Sequence, residues 1–373
     1  MIRAALSCVA LFGLIAAAEA QTAESGEGTP IVPTATEADY ARVVQQAVSG
    51  YIVPAYAQLD AATDVLASAV EDFCAAPNPV KESTLRTAFD GTIRAWAEVD
   101  FLRFGPMAQE GRFERFAFFP DVHGTGARQI RGFLVSQDEA LLRPGALAGQ
   151  SAAVQGLPAL ESLIFAGKAA LLQPAPPEPF RCALAVAVAK NMQAIADDAL
   201  AGWQGDKSWA ALIETPGQDN PVYRTHAEAM TEVLKAILTG LEQVRDHRIL
   251  PALGKTPEEG KASRAPYNSS GEALGYIAAS ADALQRFADA SGILGLLPAS
   301  QSSYGNSVDF EFSNLKRALE DAGPDLGKAL ADPQLRSKLG YAAIVLKSLR
   351  DLFQRHVAVG AGLTPGFNSL DGD

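Results

Sequence analysis

Apolar positions along the chain recur at helical rather than strand spacing. After Thr36, a candidate N-cap, they fall at Tyr40, Val43, Val44, Ala47, Val48 and Tyr51, the three- and four-residue steps of one helix face. Pro54 is expected to kink or break this helix, because proline removes a backbone donor and crowds the turn before it. The stripe resumes at Leu59, Ala62, Leu66, Val70 and Phe73. A second helix is predicted over about Glu82 to Leu102, with Leu85, Phe89, Ile93 and Trp96 on one face and Asp100 further along the same side. The stretch "RFGPMAQEGRFERFAFFPDVHGTG" interrupts the period and reads as an ordered loop with hydrophobic anchors. Helical patterns return near 125–135, 149–171 and 179–203, the last two separated by "QPAPPEP", and again over 222–249, 270–290, 309–321 and 333–358.

Strand-like alternation is scarce, so the pattern predicts an all-α protein of two four-helix-bundle-like halves, 36–204 and 205–373, joined near residues 205–221. The similar style of the halves suggests a pseudo-duplication, although no strict short repeat is visible.

Composition narrows the classes. The chain has 373 residues, 48% of them hydrophobic, and a formal charge of −12. That is enough apolar material for a large core, and the acidic balance argues against nucleic acid and against anionic lipid surfaces. The segment "MIRAALSCVALFGLIAAAEAQTAE" reads as an export signal, with Arg3, an apolar run from Ala4 to Ala18 and a small-residue site at Ala18-Glu19-Ala20. Cleavage after Ala20 is expected, followed by a polar, proline-bearing leader over 21–35 and a periplasmic mature chain without a transmembrane segment. Too little apolar chain precedes Cys8 for a lipid-modified cysteine. In an oxidising compartment the remaining pair, Cys74 and Cys182, is expected to be bridged, a closure worth up to ~4–5 kcal/mol in the chain-entropy model.

Common catalytic signatures are missing. His123, His226, His247 and His356 each lack the partner of H-E-x-x-H, and no G-x-S-x-G or Cys-x-x-Cys occurs. In "GAGLTPG", residues 360–366, Pro365 stands where a dinucleotide fingerprint needs its third glycine. The informative segment is "VQGLPALESLIFAG", residues 154–167, where Glu161 sits among Leu157, Ile164 and Phe165. An ionised carboxylate in apolar surroundings needs a partner, either an arginine in a structural ion pair or a metal ion with further ligands. Pro158 either opens the helix at its first turn, with Gly156 allowing a close approach, or kinks a longer helix that begins near Ser151. "FFPDVHGTGARQIRG" offers Asp121 and His123 as metal ligands from one loop, with Arg128 and Arg131 following; the plainer reading has Asp121 capping a helix. The tail "PGFNSLDGD" holds Asn368, Asp371 and Asp373, better explained by turns than by calcium.

The segment around Glu161 resembles the signature of the imelysin-like family, catalogued also as M75 peptidases, whose pattern is G-x-H-x-x-E. Gly156 and Glu161 match it, and Pro158 occupies the histidine position. The resemblance extends through "YIVPAYAQL", "LRFGP", "FFPD", "RCALAVAVAKN", "LPALG" and "GFNSLDGD". It implies two helical halves with a ligand or metal site between them and a role in bacterial iron acquisition alongside periplasmic or membrane iron-uptake components. On that basis the candidate ligand-binding residues are Gly156, Pro158, Glu161 and Arg131. The candidate ligands for iron or another divalent metal are Glu161, Asp121, His123 and Asp100. The substitution of Pro158 for the imidazole weakens the metal and peptidase readings and leaves a non-metal adaptor as the alternative.

Overall fold

The computed structural model describes residues 35–167, 170–173 and 177–363. The segment expected to be an export signal, nearly all of the expected leader and the tail with Asn368, Asp371 and Asp373 lie outside these residues. Among the described residues every regular element is helical and there is no strand.

Local chemistry accounts for where the principal helices start. Thr36 and Asp39 form a reciprocal capping box at the head of α1, Glu37–Ala47. A single device recurs elsewhere: a capping side chain followed by proline at the first helical position. Asn78-Pro79 opens α3, Pro79–Ala97; Glu178-Pro179 opens α6, Pro179–Ala201; Asp332-Pro333 opens α10, Pro333–Leu352. In each case the cap accepts from two free N–H groups, and proline occupies a place where its missing donor costs nothing. The remaining principal helices are α2, Val53–Ala75; α4, Thr125–Ser136; α5, Leu157–Phe165; α7, His226–Glu242; α8, Ala273–Ser291; and α9, Ser303–Ala322.

Pro54 does not end the first helix. The chain passes from α1 through a π-turn at Val48–Ile52 directly into α2, with Pro54 in the first turn of α2. The widened turn absorbs the irregular bonding that proline imposes. The same arrangement appears at Gln243–Ile249, a π-turn that follows α7 and precedes Pro251.

Two groups of helices pack around a continuous core. α2 lies against α3 and α6, with α5 on α6; α7, α8, α9 and α10 pack with one another. Helix α1 packs on α7 and α8, so this N-terminal stretch joins the later helices while its continuation, α2, joins the earlier ones. α3 also touches α8, and the chain from Val32 onward is one compact unit. Side chains such as Leu59, Leu85, Phe89 and Trp96 are fully buried, each contributing about 1.5–3 kcal/mol by leaving water. Cys74, near the end of α2, is bonded to Cys182, near the start of α6, with α-carbons 5.6 Å apart. The predicted disulfide is therefore present. The 103–124 stretch is an ordered loop with short helical turns, anchored by buried Phe104, Met107 and Phe116, the last stacked on Trp96 at 4.6 Å.

Candidate functional site

The seam between earlier and later helices contains two adjoining cavities. The first, about 240 Å³, begins at the end of α3. There a turn continues past Ala97, with the Asp100 N–H donating to the Trp96 carbonyl, and directs the Asp100 side chain inward. Asp100 is 2% exposed. Arg248 Nη2 meets its Oδ2 at 2.6 Å, the Tyr276 hydroxyl donates to the same oxygen, and Arg248 Nη1 donates to Ser280 Oγ. Oδ1 has no hydrogen-bond partner. Burial pushes the Asp100 carboxyl above the usual carboxylate range, opposed by Arg248 and Tyr276. Burial also disfavours charge on Arg248, but Asp100 outweighs it and holds the guanidinium above its ordinary value. The pair is ionised, and each partner depends on the other.

The π-turn supplies the opposite wall. Gln243 and Arg248 are five residues apart, which on an α-helix would separate them by about 140°. The i→i+5 bonding of the π-turn instead brings both to the cavity, with His247 at its rim. Arg103 lies over the Phe113 ring at 3.4 Å, and Gln243, with its amide oxygen turned toward Arg103, accepts from Nε at 2.8 Å. Burial pushes the Arg103 guanidinium down to about 10. Tyr267 completes the wall from a left-handed backbone conformation, φ 58°, a strain of order 1 kcal/mol or more for a non-glycine residue. The Glu272 N–H donates to its carbonyl at 2.9 Å, and the Ser270 hydroxyl lies at the same distance, its single proton shared between this carbonyl and Glu161 Oε1.

The second cavity, about 330 Å³, shares Phe118, Phe119, Pro266 and Tyr267 with the first and is lined also by Pro158, Glu161 and Asp121. Glu161 is 9% exposed. Its Oε1 accepts from the Ser270 N–H at 2.8 Å and from the Ser270 hydroxyl at 3.0 Å. Burial raises its carboxyl above the ordinary value, and the Ser270 and Ser269 bonds pull it partly back. The buried carboxylate thus has a partner from the later half of the chain, but that partner is neither of the two expected. The turn "PYNSSG" supplies a backbone N–H and a hydroxyl, which hydrogen-bond the carboxylate without bringing a counter-charge.

The other sequence candidates separate. α5 starts at Leu157 with Pro158 in its first turn, which is the helix-entry reading. A Cβ at Gly156 would overlap the Phe116 carbonyl, so this glycine permits backbone contact and does not face a ligand. Asp121 accepts from the N–H groups of Thr125 and Gly126, both at 2.8 Å, at the start of α4. His123 is exposed, its carbonyl accepting from Arg128, and Arg131 is exposed on α4 away from both cavities. Asp100 belongs to the first cavity, whereas Asp121 and Glu161 border the second. Among the described residues no three His, Cys, Asp or Glu side chains are grouped to hold a metal ion. With Asp100 bound to Arg248, Asp121 to backbone and Glu161 to Ser270, these residues do not fit a metal centre.

Sequence reasoning missed Arg103, Gln243, Arg248, Tyr267 and Tyr276. One signal for Arg248 was available: it lies three residues before Pro251 in a helical pattern, where proline disturbs the ladder and π-turns form.

Comparison with known proteins places this geometry in a family. A crystal structure of an imelysin-like protein from Psychrobacter arcticum 273-4 superposes with a TM-score of 0.76 at 18% identity, covering 90% of this chain and 100% of that one. A structure described as a "putative iron-regulated protein A precursor" from Parabacteroides distasonis ATCC 8503 gives a TM-score of 0.69 at 14% identity, covering 88% and 96%. At these identities the likeness shows the fold. No curated protein matches the sequence. The imelysin family model, peptidase M75, matches residues 52–355, and the chain belongs to that family.

Proposed function

We propose that the protein is a periplasmic binding component of bacterial iron acquisition that takes its ligand in the seam between the earlier and later helices. The observation that carries this reading is the pair of adjoining cavities, walled by both parts of the chain and containing the buried Asp100–Arg248–Tyr276 cluster. Concave, largely pre-formed pockets with few polar groups are the usual form of small-ligand sites. Support for the iron context comes from the similar structure described as an iron-regulated protein A precursor and from the export signal expected at the N-terminus. Binding is favoured over peptide hydrolysis because hydrolysis by a metallopeptidase needs a metal held by several protein ligands beside an activated water. The carboxylates of Asp100, Glu161 and Asp121 already bond Arg248, Ser270 and backbone N–H groups respectively.

A second reading, an adaptor for a partner protein, draws on exposed Phe310, Tyr341 and Ile344 on α9 and α10. The test is iron accumulation by the host bacterium under iron restriction, with the gene deleted and restored. Reduced accumulation, rescued by the wild-type chain but not by a form lacking residues 1–20, supports the proposal. Unchanged accumulation overturns it.

A further inference from the structure

Inside the first cavity, below its exposed rim, guanidinium groups outnumber carboxylates. Two guanidinium groups, Arg103 and Arg248, line it with one buried carboxylate, Asp100. Arg248 takes that carboxylate. Arg103 makes no ion pair among the described residues; its neighbours are the Phe113 ring and the Gln243 amide. Glu114 and His247 also border the cavity, but both are exposed at its rim. A guanidinium withdrawn from water without a counterion is costly, and a ligand that brings one recovers that cost. Burial lowers the proton affinity of Arg103, and the nearby charges of Asp100 and Glu114 offset that only in part.

The shape of the cavity restricts the anion. Gln243 accepts from both Nε and Nη2 of Arg103 and so takes that edge of the guanidinium; Nη1 and the second Nη2 hydrogen remain for a planar, bidentate acceptor. Trp96, Phe113, Phe119 and Tyr276 form apolar walls around a volume of about 240 Å³, room for a small molecule. We propose that this cavity binds a small monocarboxylate with a flat apolar body, its carboxylate on Arg103 and its body between the aromatic walls. The proposal rests on the reading of the seam as a ligand site, and it does not depend on iron.

Benzoate is the probe, titrated calorimetrically into the mature chain. Benzamide, which has the body without the charge, acetate, which has the charge without the body, and inorganic phosphate are the controls. Benzoate should bind, and each control should bind about tenfold more weakly or worse, the loss expected when a charge-assisted hydrogen bond or the buried ring is missing. Arg103→Met should abolish the preference for benzoate over benzamide. Arg103→Lys, which keeps the charge but not the fork, should bind benzoate with intermediate affinity, and it serves as the variant if Arg103→Met does not fold. No benzoate binding to the wild type overturns the proposal, as does equal binding to Arg103→Met or, if that variant does not fold, undiminished binding to Arg103→Lys. Benzoate binding together with unchanged iron accumulation in the deletion strain would remove the iron reading and leave the carboxylate site standing.

Discussion

Two carboxylates are buried at the same seam by different means. Asp100 is paired with Arg248 and receives the Tyr276 hydroxyl, so one charge answers another. Glu161 receives the N–H and hydroxyl of Ser270 and a backbone bond from Ser269, so its charge is solvated by dipoles. The difference teaches where a ligand is needed. The Glu161 side is satisfied by the protein's own loop, whereas the Asp100 side contains a second guanidinium, Arg103, that makes no ion pair among the described residues. The residue that matches the family motif therefore ties the two parts of the chain together, and the open binding chemistry lies across the Phe118–Phe119 wall.

The largest effect is expected from breaking the charged pair. Asp100→Asn leaves Arg248 buried without its counterion and should lower the unfolding free energy by about 3–5 kcal/mol in urea denaturation. A loss within experimental error would mean that the pair is not the ionised structure described. Removing the dipole-solvated carboxylate should cost less. Glu161→Ala leaves the Ser270 N–H without an acceptor in a part-buried site, for a loss of about 1–3 kcal/mol. Ser270→Ala, which keeps the backbone donor, should lose about 0.5–1.5 kcal/mol. If Ser270→Ala equals or exceeds Asp100→Asn, the ranking of the two sites is reversed.

A smaller effect distinguishes them through pH. Folding raises the Glu161 carboxyl above its ordinary value of 4.5 because burial disfavours the ion. The stability this group contributes is thus full below pH 4.5 and is lost as pH rises through the raised folded value. Glu272, pushed up to about 7 by burial and by Asp90, contributes a slope of the same sign, so the informative quantity is the difference between wild type and variant. Stability of Glu161→Gln should fall less than that of wild type as pH rises from 4 toward neutrality. Parallel profiles would show that Glu161 does not titrate differently in the folded state.

Much of the fold was legible because helices are local. Thr36 and the apolar stripes each act within a few residues, and the disulfide followed from cysteine number and the expected compartment. Glu161 was legible as a buried charge because its own helix surrounds it with apolar residues. Its partner was not, because Ser270 is 109 residues away, in a turn whose N–H groups carry no signature in the sequence. Arg248 is 148 residues from Asp100, and the π-turn that aligns it with Gln243 breaks the helical period from which faces are read. Of the two outcomes expected at Pro54, the break does not occur: a proline that destroys one α-helical bond can be accommodated by widening a turn, and the helix then continues.

The most direct test of the contrast is the unfolding free energy of Glu161→Gln at pH 7, measured beside Asp100→Asn. The amide oxygen of glutamine can accept both Ser270 bonds, and the buried charge is gone. The stability should therefore stay within about 1 kcal/mol of wild type or rise above it. A loss of about 3–5 kcal/mol, matching Asp100→Asn, would reveal a cation that depends on Glu161 and would contradict the account.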